Sequence, residues 1–147
     1  MKLKKVMSAA VIGSALIFVA AACGDRDPNK TANHVVEHMD DKAEDLELNA
    51  AQQAKYTAFR SDVEAAVRQG ISERQAYKTF MRSEFKKDDT DMAAVTARVK
   101  SHTASRQASL DKSMTSFNEF YATLDAEQQK EVKKYMKYFV RRVGHHH

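Results

Sequence analysis

The chain has one cysteine, one proline, four glycines and no tryptophan in 147 residues, and these scarcities exclude whole classes of protein. A lone cysteine, Cys23, cannot form a disulfide within the chain, so internal stability must come from packing. So little proline and glycine leaves few turn formers for a β-rich fold. No window alternates apolar and polar residues for the length a strand needs. The glycines are scattered at 13, 24, 70 and 144, so no glycine-rich loop is available to cradle phosphate. No serine, histidine and acid gather around a strained glycine-flanked turn, and the acids fall singly among polar helical positions. An enzyme is not expected.

What is present begins with a secretory plan. Lys2, Lys4 and Lys5 precede an apolar run from Val6 to Ala22, interrupted only by Ser8, Gly13 and Ser14. That run suits a signal better than a span, which takes ~20 strongly apolar residues. It ends in Val19-Ala20-Ala21-Ala22-Cys23, which resembles the lipobox of bacterial lipoprotein precursors, with Ala20 where leucine is commoner. The resemblance implies cleavage of residues 1–22, lipidation of Cys23 and anchoring on the periplasmic side of the cell envelope. Gly24 stands where aspartate is associated with inner-membrane retention, which favours the outer membrane. An ordinary cleaved signal and a retained anchor are the alternatives. Without residues 1–22 the chain has 125 residues, and Lys+Arg falls from 24 to 21 against 20 acids, a net charge of +1. Nothing in that balance calls for a nucleic-acid partner.

Residues 23–33 are polar after the cysteine, hold the only proline and read as a short tether. A helical domain follows over 34–143, with 144–147 as a tail or tag remnant. Val35, Val36, Met39, Ala43 and Leu46 recur at helical spacing, as do Tyr56, Phe59, Val63 and Val67. Gly70 suits either a helix end or a kink, and Ser72-Glu73-Arg74-Gln75 has the form of a capping box, with Tyr77, Phe80, Met81 and Phe85 continuing the apolar face. After the polar turn Lys86–Asp91, the strongest stripe runs through Met92, Val95, Val99, Thr103, Arg106, Leu110, Met114 or Ser113, Phe117 and Tyr121. A last helix from Asp125 carries Val132, Tyr135, Met136, Phe139 and Val143. The pattern predicts an all-α fold of four or five helices, one of about eight turns.

Two pentapeptides share one plan: Leu48-Asn49-Ala50-Ala51-Gln52 and Leu124-Asp125-Ala126-Glu127-Gln128. Asn49 and Asp125 can accept bonds from the unpaired N–H groups of a first helical turn. Gln52 and Gln128, three residues on, can reach back to the cap residue's own N–H. Leu48 and Leu124 lie just outside each helix and can pack on a neighbour.

These pentapeptides resemble the paired LTxxQ motifs of the Spy/CpxP family of periplasmic proteins, with threonine replaced by Asn49 and Asp125. Both replacements keep the capping chemistry. The likeness takes in His38-Met39-Asp40-Asp41-Lys42 before the first motif and Phe117–Thr123 before the second, and covers roughly residues 34–140. It implies a long-helix hairpin that pairs antiparallel into a cradle-shaped homodimer. It also implies ATP-independent binding of unfolded or misfolded envelope proteins under stress. Heavy-metal response, or control of a sensor kinase, is the alternative the family offers. A lipid anchor departs from the soluble members of the family.

A chaperone surface needs exposed apolar groups flanked by cations. Arg98, Lys100, Arg106 and Lys112 lie along the long helix, and Lys130, Lys133, Lys134, Lys137, Arg141 and Arg142 along the last. The plain reading of such residues is a solvated face, and attraction to lipid headgroups is another. His34 and His38 are one turn apart, with Glu37 or Asp41 near, so both could face one Zn²⁺ or Ni²⁺. Two ligands are not four, and an ordinary surface pair is the commoner explanation unless a dimer supplies more. No other cofactor is expected. His102 falls beside Val95 and Val99 and reads as a core-edge residue.

Overall fold

The computed structural model describes residues 27–144, with side chains to Lys137. The readings of the signal, of Cys23 and of the terminal histidines lie outside the described residues. The described residues form four helices: α1 (Pro28–Asp45), α2 (Ala50–Glu84), α3 (Met92–Ala122) and α4 (Ala126–Gly144). The fold is all-α and hairpin-like, with no strand among the described residues.

Helix α1 begins earlier than expected, and half of the supposed tether belongs to it. Asp27 caps it, accepting from the N–H groups of Asn29 at 2.8 Å and Lys30 at 3.4 Å. Pro28 takes the first helical position, where its missing N–H costs nothing and its fixed φ suits the helix. Ala32, inside the stretch read as polar linker, is fully buried. Helix α1 ends at Leu46. The next residue, Glu47, takes a left-handed φ of 50°, alone among the described non-glycine residues, and this turns the chain sharply into α2.

Helix α2 runs unbroken for 35 residues, about 52 Å, so Gly70 neither ends nor interrupts it. Ser72-Glu73-Arg74-Gln75 accordingly lies within the helix and starts nothing, which corrects the capping-box reading there. The turn at 85–91 reverses the chain, with Asp91 capping α3 by accepting from the Ala94 N–H at 3.0 Å. Contacts then fall back along α2: Tyr77 with His102, Gln69 with Ser105, Asp62 with Lys112, Lys55 with Glu119. That order makes α2 and α3 an antiparallel hairpin. Helix α1 lies antiparallel along the first half of α2. Asp40 takes the Tyr56 hydroxyl and both of its oxygens accept from Arg60 Nε, while Arg68 reaches Asn33 and Asn29 near the start of α1.

The core fills one end of this hairpin. Met39, Phe59, Val63, Phe120 and Val132 are wholly occluded, joined by Tyr56, Phe117 and Leu124. Phe59 packs on Phe117 with ring centres 5.4 Å apart, and Tyr56 on Phe120 at 5.6 Å. At this level α1, α2, α3 and α4 all contribute buried side chains. Beyond Ile71 the described residues form only two layers, α2 and α3. Beside the buried Val95, polar and aromatic contacts join the helices there: His102, half-buried as expected, stacks on Tyr77 at 4.6 Å, and Ser105 donates to Glu73 at 2.6 Å. Burial opposes ionisation of Glu73, but bonds from Ser105 and Gln69 with the nearby His102 and Arg98 hold its pKa below the usual range.

Candidate functional site

The two pentapeptides, distant in sequence, meet in space. Each is a complete capping box. Asn49 Oδ1 accepts from the Gln52 N–H at 3.0 Å while Gln52 Oε1 accepts from the Asn49 N–H at 3.0 Å. Asp125 Oδ1 and Gln128 repeat this at 2.9 Å in both directions. Each glutamine then crosses to the other motif. Gln52 Nε2 donates to the carbonyl of Thr123 at 2.9 Å, and Gln128 Nε2 donates to the carbonyl of Leu46 at 2.9 Å. Those carbonyls belong to the C-caps of α3 and α1, groups with no partner inside their own helices. One glutamine therefore closes the start of its own helix and the end of another. Leu124 is buried and Leu48 packs partly buried against the same core. The capping role expected of Asn49, Gln52, Asp125 and Gln128 is what the geometry shows. The crossing bonds were not foreseeable from spacing.

Helix α3 presents two distinct faces. Its face toward α2 is Val95, Arg98, His102, Ser105, Ser109, Ser113, Phe117 and Phe120, buried or half-buried. Serine at 105, 109 and 113 lets the helices approach closely, and Ser113 Oγ is satisfied by donating to the Ser109 carbonyl at 3.0 Å. Of the apolar stripe read from the sequence, Val95 and Phe117 are buried on this face, while the centre line of the stripe is rotated from it by roughly a quarter turn. In consequence Met92 (58% exposed), Val99 (41%) and Met114 (40%) stand outward along about 33 Å of helix, with Leu110 half-buried between them. Arg106 and Lys100 lie exposed on or beside the stripe. Phe85, at the end of α2, is 62% exposed, and Phe80 and Met81 before it are half-buried. Lys112, counted among the flanking cations, instead bridges to Asp62 at 2.9 Å.

Helix α4 presents Lys130, Lys133, Lys134 and Lys137 on the side opposite its buried Val132 and Tyr135. Glu127 and Glu131 offset Lys130 and Lys134. His34 and His38 are both exposed, with their rings edge to face at 4.5 Å. Among the described residues, no three His, Cys, Asp or Glu side chains converge as a metal site. None of the described helices is long and apolar enough to cross a membrane.

Reciprocal glutamine caps joining two helix starts, carried by a long helical hairpin, define a motif-paired all-α protein. Residues 34–136 match the LTXXQ motif family, and the chain belongs to that family, which is the Spy/CpxP type. No curated protein and no solved structure gives a match.

Proposed function

We propose that the protein is an ATP-independent chaperone of the cell envelope that holds unfolded proteins on the outer stripe of α3. The observation that carries this reading is the outward row Met92, Val99 and Met114 with Arg106 and Lys100 beside it. Methionine side chains are flexible and polarisable, so such a row can accept many sequences, and scattered cations attract acidic segments of a client. Nothing in such a surface requires nucleotide. Export and lipid anchoring through Cys23 are supported by the signal-like N-terminus. Pairing of two copies is supported by the second half of α2, where Phe85 is exposed and Phe80 and Met81 are only half-buried among the described residues. Light scattering of a chemically denatured client, diluted into near-stoichiometric protein without ATP, tests the proposal. Suppressed scattering is expected; no effect across several unrelated clients contradicts it.

A second reading, metal-responsive regulation of a sensor kinase, draws on the proximity of the His34 and His38 rings. It requires further ligands from a second copy. Calorimetric titration with Zn²⁺ and Ni²⁺ decides it: binding abolished in His34→Ala/His38→Ala supports that site, and binding unchanged in the variant removes it.

A further inference from the structure

We propose that Met92 and Met114 are sites of reversible oxidation that switch the α3 stripe from apolar to polar. Of the three large apolar side chains exposed on α3, two are methionines; the third, Val99, has no oxidisable group. Met39, by contrast, is fully occluded in the core, so one chain carries both accessible thioethers and a protected one. No cysteine lies among the described residues, which leaves methionine as their sulfur chemistry. Hydrogen peroxide transfers one oxygen to the thioether. The O–O bond breaks, an S–O bond forms, sulfur loses two electrons and water leaves. The product carries a strongly polar S=O group where the stripe was greasy. A dithiol-using methionine sulfoxide reductase returns the thioether as its own thiols become a disulfide and the oxygen leaves as water.

The consequence for clients rests on the proposed holding function, whereas the order of oxidation rests on geometry alone. Oxidant would lower the capacity of the stripe while leaving the fold intact, because neither sulfur is in the core. Graded peroxide treatment of the purified protein, followed by mass mapping of each methionine, reads the order. Met92 and Met114 should convert at least about tenfold faster than Met39, with helical circular dichroism unchanged. Suppression of client aggregation should fall with their conversion, return after both stereospecific reductases, and resist peroxide in Met92→Leu/Met114→Leu. Equal conversion of Met39 overturns the site assignment, and full holding by the doubly oxidised protein overturns the switch. If the untreated protein holds no client, the holding function fails and the switch with it, while the mass map still decides the oxidation sites.

Discussion

Gln52 and Gln128 face each other across the meeting point of four helix ends, with their amides in reciprocal contact. Gln52 Nε2 donates to Gln128 Oε1 at 2.8 Å, and Gln128 Nε2 returns a bond to Gln52 Oε1 at 3.3 Å. With the cap and carbonyl bonds included, both N–H donors and both acceptor lone pairs of each amide are used. That completeness explains why the motif position is glutamine. Glutamate could accept the cap bond but could not donate to the Thr123 or Leu46 carbonyl, and it would place a charge where Gln52 is 95% buried by contact with its neighbours, being 5% exposed.

Replacing either amide should therefore cost more than a simple cap. Gln52→Ala strips the Asn49 N–H, the Thr123 carbonyl and the Gln128 amide of partners at once, and is expected to destabilise by ~2–4 kcal/mol. Because the two glutamines share bonds, Gln52→Ala and Gln128→Ala should be non-additive by about 1 kcal/mol or more in urea denaturation. Additive losses would show that the two motifs act separately.

Gly70 lies within α2, in ordinary helical backbone, and a methyl group added there meets nothing within 4 Å. Glycine in a helix interior is less favourable than alanine by roughly 0.5–1 kcal/mol. Gly70→Ala is expected to stabilise by about that amount and to raise the melting temperature. A lower melting temperature would mean that α2 bends there in solution.

Burial first, then the nearby Glu131 and Asp45, push the Tyr135 hydroxyl up to about 12. Tyr56 is raised in the same direction by burial and by its bond to Asp40. An unfolded tyrosine ionises near 10. Above that pH the unfolded chain releases protons that the folded chain retains, so stability falls as pH rises from about 10 to about 12. Tyr135→Phe should flatten part of this slope in denaturation curves collected from pH 9 to 12. An unchanged slope would contradict the burial of the hydroxyl.

Local chemistry made much of this fold legible. The caps at Asn49 and Asp125 were readable because their partners sit three residues away, and α3 because 31 residues pass without glycine or proline. The start of α1 was missed although Asp27-Pro28 is a cap followed by a favoured first residue. The polar composition of the segment masked it. Ser72–Gln75 misled in the opposite way, since a capping pattern has no effect where the helix already continues on both sides. The facing of α3 was not legible, because the helices meet over Ser105, Ser109 and Ser113 as well as over apolar residues, and an apolar pattern does not mark a serine seam. The crossing bonds of Gln52 and Gln128 join groups 71 to 82 residues apart, and no local pattern encodes them.

If the outward stripe of α3 does the holding, polar substitution along that stripe weakens it. Met92→Gln/Val99→Gln/Met114→Gln removes the exposed apolar groups without touching the core face, so stability should change by no more than ~0.5 kcal/mol per site. Aggregation of a denatured client should then require several-fold more variant than wild-type protein for the same suppression. Equal suppression by a correctly folded triple variant would mean that clients are held elsewhere on the protein.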